Sequence, residues 1–202
     1  MDAALPQRAL VGWLRGLPGL LLVWASCAAC QPLTSVGPTD LAKAIDDAML
    51  GSRMFMSGAM DNLERHLAGR RGHQEALECY RREISPIASE AMTQIWVDSI
   101  PVDRLRQGVR LASHPVIERV QPLIWQHLQA LREEALARNR YVGSYLFFAA
   151  DRFVDDPADR AALRKFAEWA EEHAPQTRMA MARKAPGLLA ANVQALRKCN
   201  VE

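Results

Sequence analysis

The chain has 202 residues, half of them apolar and 24% charged, which is enough to bury a sizeable core and is far from the profile of a disordered chain. Its 25 basic and 23 acidic residues leave a net charge of +2, so it carries no electrostatic footprint for nucleic acid, and no run of like charges marks an acidic or basic tail. Ala, Leu, Arg, Glu and Gln dominate, β-branched residues are sparse and no stretch alternates apolar with polar, so the chain reads as all-α.

The N-terminus has the pattern of a secretory signal. Arg8 and Arg15 stand against the single acid Asp2, an apolar run follows through Leu20-Leu21-Leu22-Val23, and Ser26-Cys27-Ala28-Ala29-Cys30 forms a small-residue exit. The apolar stretch, about 13 residues, is well short of the roughly 20 of a membrane-spanning helix. The exit resembles the bacterial lipobox, whose final cysteine is acylated, palmitate being a typical chain, and becomes the new N-terminus. Ala28 and Ala29 fit the two small positions, and Cys27 stands where Leu is usual. The resemblance implies lipidation at Cys30. Modification of Cys27, or cleavage near Ala28 or Ala29 to release a soluble periplasmic protein, are the alternatives. Gln31 follows in place of the Asp that retains lipoproteins in the inner membrane, which implies an outer-membrane lipoprotein facing the periplasm. The chain thus divides into a signal over 1–29, a lipidated tether over 30–38 rich in proline, and an all-α domain over 39–202.

The domain reads as seven or eight helices in an irregular orthogonal bundle. The first runs from Thr39 or Asp40 to Gly69-Arg70-Arg71-Gly72, with Met49, Met56, Met60, Leu63 and Leu67 as its apolar stripe. The second spans His73 to Ile84. Ser85-Pro86 opens a third, with Ile87, Ala91, Ile95 and Trp96 inward, ending near Ser99. A short helix after Pro101 buries Leu105, Val109 and Leu111. From His114-Pro115 an apolar series Ile117, Val120, Ile124, Leu128, Leu131, Ala135 predicts a long helix kinked at Pro122. Tyr141 to Ala150 is apolar nearly all round, with Tyr141, Tyr145, Phe147 and Phe148, and is expected to be the central helix. Asp156-Pro157 caps the next, burying Leu163, Phe166 and Ala170. The last, from Gln176 to about Asn200, breaks or bends at Pro186-Gly187 and turns Leu189, Val193, Leu196 and Cys199 inward.

The stretch from Asp103 to Pro122 resembles part of an uncharacterised helical bacterial envelope family. That family's short domain reads as acidic residues, Leu, an apolar helix, then Phe-Tyr-x-Ser-Pro-x-Gly-Lys and a later proline. Asp103-Arg104-Leu105-Arg106 matches the opening, Val109 and Leu111 the apolar sites, Pro115 the motif proline and Pro122 the later one. Ala112, His114, Ile117 and Glu118 stand where the family has Tyr, Ser, Gly and Lys. The resemblance implies a helical envelope domain and carries no activity with it.

Candidate chemistry is thin. With Cys30 acylated and Cys27 removed, Cys79 and Cys199 remain, an even pair in an oxidising compartment, which predicts a disulfide; two buried free thiols are the alternative. The histidines His66, His73, His114, His127 and His173 are scattered, with no HExxH. Glu168, Glu171, Glu172 and His173 read as a solvated helix face. Met49, Met54, Met56 and Met60 read as core, with Cu(I) binding through thioethers as the sharper alternative. Asp151, Asp155, Asp156 and Asp159 lack calcium-loop spacing. Ser144 follows Gly143 without a G-x-S-x-G. No catalytic residue, metal ligand or cofactor is assigned. The leading expectation is a non-enzymatic envelope lipoprotein that binds a protein partner or an apolar ligand, in an accessory, pilot or immunity-like role, and no nucleic acid. The alternatives are an envelope hydrolase with its site between helices, and a copper-handling protein built on the methionines.

Overall fold

A computed structural model describes Leu33 and residues 35–201; the signal-like segment, Cys27 and Cys30 lie outside the described residues. Eight α-helices and one 3₁₀ turn follow in order: α1 (Pro38–Met49), α2 (Gly51–Leu67), α3 (His73–Ser99), α4 (Val102–Ala112), α5 (Pro115–Gln126), α6 (Leu128–Ala137), α7 (Val142–Ala150), the turn Asp151–Phe153, and α8 (Pro157–Lys198). No strand occurs among the described residues, so the fold is an all-α bundle.

The helix expected to run unbroken from Thr39 to Gly69 is two helices. Leu50 adopts a left-handed backbone, φ 57°, between α1 and α2, a conformation that costs a non-glycine residue about 1–2 kcal/mol. Two interactions hold it. Leu50 is buried in the main core, and the buried carboxylate of Asp46 accepts the Ser52 N–H at 3.2 Å, satisfying one donor of the first turn of α2. Gly51 makes room for that carboxylate: a Cβ there would lie 2.3 Å from Asp46 Oδ1.

Proline misleads in the opposite direction. α3 runs straight through Pro86, and α8 passes both Pro175 and Pro186 in a single 42-residue helix. All three rings face solvent, so the carbonyl each leaves without a donor, four residues earlier, lies on the wet side of its helix. Ser85 is therefore mid-helix and not an N-cap. Pro122 is also exposed and lies within α5; the expected long helix instead ends at His127, five residues beyond it.

Three core clusters result. The main one gathers α1, the end of α3, α4 to α7 and the first half of α8 around Trp96, Phe147, Phe166 and Trp169. Phe147 meets Phe166 edge-on at 4.9 Å, Phe166 and Trp169 are parallel at 6.0 Å, and Trp169 donates to the Arg104 carbonyl at 3.2 Å. A second joins α2, the first half of α3 and the end of α8 through Leu63, Leu67, Leu77, Tyr80, Ile84, Ala195 and Cys199. A small third, Met92, Ile95 and Ala180, links them along α3 and α8. These two helices run antiparallel: Trp96 lies by Trp169, Asp98 by Lys184 and Glu83 by Lys198.

α8 touches all three clusters and is the spine of the bundle, the place expected for α7. α7 packs on it, with Phe147 and Leu146 fully buried while Tyr141, Tyr145 and Phe148 are only half-buried. The inward stripes assigned by spacing also shift. On α3, Ile87 is exposed and Ala88 and Met92 are buried in its place; on α8, Leu189 and Val193 are exposed and Ala195 is buried. Both shifts arise because the helix continues in phase through its proline and does not restart after it.

Candidate functional site

The predicted bond between Cys79 and Cys199 is present, with its Cα atoms 5.7 Å apart, across 120 residues of chain. Cys79 sits on the second turn of α3 and Cys199 one residue past α8. The bond clamps the end of α8 beside the five-residue connection from α2 to α3, where Gly69 and Gly72 supply backbone at φ 80° and 74° that a side chain would resist.

At this junction lies an open cavity of about 370 Å³. Its floor is Leu67, Ala76 and the disulfide. Arg70, Arg71, His73 and Lys198 stand around it, with Glu75 as the carboxylate of the lining. Lys198 is held at the rim by Glu83, 2.6 Å away. Gly72, the N-cap of α3, has no side chain to satisfy the first-turn N–H groups, so the positive end of a 27-residue helix opens onto the same hollow. The arrangement is cationic, shallow and wet, a receptor for carboxylates or other anions and a poor one for an apolar ligand.

A second feature is internal. A polar seam runs between α1, α7 and α8, which sequence spacing does not reveal. Ser144 is fully buried, and its single hydroxyl proton is shared between two acceptors, the Glu171 carboxylate and the Tyr141 carbonyl, which lies 3.0 Å away. Arg140 holds the other Glu171 oxygen at 3.2 Å. Arg178 lies over the Tyr141 ring at 5.4 Å; burial nevertheless pushes the Tyr141 hydroxyl up to about 12. Across the seam, burial raises the Asp46 carboxyl above its ordinary 3.8, opposed by its bonds to Ser52 and by the Trp96 indole. The Trp96 N–H falls short of full hydrogen-bond geometry with any partner. With its hydroxyl shut away from solvent and already donating, Ser144 is a packing group here and not an open nucleophile.

The remaining candidates disperse. His173 is buried, its Nδ1 2.7 Å from the Trp169 carbonyl and its ring against Trp169; with Glu171 it departs from the expected solvated face, while Glu172 is exposed and pairs with Arg104. His114 caps α5 through the Val116 N–H, His127 stacks on Phe153, and His66 is exposed. Met49 is buried in the main cluster with Met54 against it, and Met56 and Met60 pack on the second, so the thioethers are shared between two cores. Asp151 binds Arg164, Asp159 binds Arg119, and Asp156 caps α8 through the Ala158 N–H. Among the described residues no group of three or more His, Cys, Asp or Glu is placed to hold a metal ion, and no described helix is long and apolar enough to cross a membrane.

No protein-family profile matches the chain. No curated protein and no solved structure matches it either.

Proposed function

We propose that this chain is an exported, lipid-anchored binding protein without enzymatic activity, whose cationic cavity takes an acidic segment of a protein partner in the periplasm. The observation that carries the binding role is the hollow itself: Arg70, Arg71 and His73 converge with the open N-terminus of α3 over a floor fixed by the disulfide. A concavity of this size holds a few acidic side chains, and its cations select among partners and speed their approach. The basic n-region, the apolar run and the Ala28-Ala29-Cys30 exit support export and acylation at Cys30, and the likeness of 103–122 to an envelope family agrees with that compartment.

Two measurements test the parts separately. Metabolic labelling with an alkyne fatty acid is expected to mark the wild-type chain and not Cys30→Ser; equal labelling of both overturns the anchor. A fluorescent oligoglutamate peptide is expected to bind the purified protein with an affinity that falls with salt and drops about tenfold in Arg71→Glu, the loss of a charge-assisted contact of about 1.5 kcal/mol. Binding unaffected by Arg71→Glu and His73→Glu together overturns the cavity as the site.

A further inference from the structure

The outer face of the second half of α8 is apolar where a surface helix is ordinarily polar. At about 100° per residue, Leu189, Ala182, Val193, Pro186, Met179 and Ala190 fall within an arc of roughly 100°. All six are exposed, Leu189 at 64% and Met179 at 58%. The residues facing the bundle, Thr177, Ala180, Ala195 and Cys199, lie on the opposite side. The stripe extends about 21 Å along the helix. Arg183 and Arg197 border it, and residues 173–201 contain five lysines and arginines and no acid. Lys184 and Lys198 turn away to Asp98 and Glu83 on α3, and Arg178 turns to Tyr141. Arg183, which lies within electrostatic reach of Asp98, and Arg197 at the end of the stripe give it a basic border, making a basic amphipathic surface.

We propose that this face of α8, from Met179 to Arg197, lies on a lipid bilayer bearing anionic headgroups. The apolar residues enter the acyl boundary and Arg183 and Arg197 meet the phosphates. The charge decides against a second copy as the occupant, since pairing two such faces brings arginines of one sign together around an apolar seam. The inference rests on the lipid-anchor reading for a nearby membrane. Leu33, whose carbonyl accepts from Arg106 at 3.2 Å, is three residues from Cys30 in the sequence, so an acylated Cys30 would tether the domain to the bilayer through a short stretch of chain. One contact near the chain entry and a second along α8 would fix the orientation of the domain on the surface.

The test uses the full purified chain, disulfide intact, with vesicles of phosphatidylcholine, with or without phosphatidylglycerol, carrying a photoactivatable phospholipid. Cross-links are expected on peptides within 179–197, only when phosphatidylglycerol is present, and reduced by about 1 M salt. Leu189→Asp with Val193→Asp is expected to lower that yield at least tenfold while leaving the denaturation midpoint unchanged, because both positions are exposed. The variant differs from the wild type only on α8, so membrane binding through the N-terminal segment is common to both proteins and does not affect the comparison. Cross-links confined to other peptides, or equal in the variant, overturn the proposal. So does a dimer in solution that the double variant dissolves, which would make a second copy the occupant. Cross-links on α8 in a chain that takes no label at Cys30 would overturn the anchor and leave the lipid-binding face standing.

Discussion

Opening the Cys79–Cys199 bond should cost this protein about as much as truncating a large buried side chain of its core. The bond closes a loop of 120 residues, for which the chain-entropy relation gives about 5 kcal/mol of destabilised unfolded state at 25 °C. Part of that is returned in the native state, because the reduced end of α8 can fray: the ties left to hold it are Ala195 and Val201 in the second cluster, Tyr80 on Asn192 and the exposed Lys198–Glu83 pair. A net loss of about 3–4 kcal/mol is expected. With a urea m-value of about 2 kcal/mol/M, that lowers the midpoint by about 1.5–2 M. Urea titration of the oxidised protein against a Cys79→Ala, Cys199→Ala double variant measures it. Hydrogen exchange should show the excess opening first at the end of α8 and at the start of α3. A midpoint within about 0.3 M of wild type would refute the reasoning, since a loop this long leaves no entropic route to so small an effect.

Gly108→Ala should destabilise by at least about 1–3 kcal/mol in thermal denaturation, because its Cβ would lie 2.4 Å from the Trp169 ring and 2.8 Å from Ile45 Cδ1. Gly58→Ala, in α2 with nothing within 4 Å, should instead stabilise by about 0.5–1 kcal/mol. Phe147→Ala should cost about 3–5 kcal/mol by urea titration, and Phe148→Ala distinctly less, since Phe148 is half-buried beneath Arg140. The Asp46 carboxyl has a folded-state pKa raised by burial, so the folded protein holds its proton above pH 3.8 where the unfolded chain has released it. Asp46 therefore favours folding below that pH and loses this contribution as pH rises through its folded pKa. Asp46→Asn, which keeps an acceptor for Ser52, should gain stability relative to wild type across that window; a constant difference from pH 3 to 7 would contradict it.

The helical class, the capped start of α8 at Asp156-Pro157 and the series Ile117, Val120, Ile124, Leu131, Ala135 were legible in the sequence because each rests on local chemistry or on a clean period. The disulfide was legible from the even count of cysteines left once Cys27 and Cys30 are set aside, together with the expectation of an oxidising compartment. What escaped depends on partners distant in the chain. Leu50 gives no sign of a left-handed turn; the buried Asp46 carboxylate does, and its burial is decided by α3 and α7. Pro86, Pro175 and Pro186 read as breaks, yet tertiary contacts on either side of each hold one helix together. The cavity joins residues 67–79 to 198–200, and only the two cysteines tie those segments together by type. The seam around Ser144 has a faint signal in hindsight, a serine inside the most apolar segment of the chain.

The length of α8 has a consequence for the order of folding. Each of the three clusters contains residues of this last helix: Phe166 and Trp169 in the first, Ala180 in the small one, and Ala195 in the other, with Cys199 just past its end. A ribosome that has released everything through α7 has therefore released no complete core. The early helices must wait, marginal by themselves, for a strut that arrives late and closes contacts of large sequence separation. With this wiring the chain is expected to gain its stability late, in one cooperative step once α8 is complete.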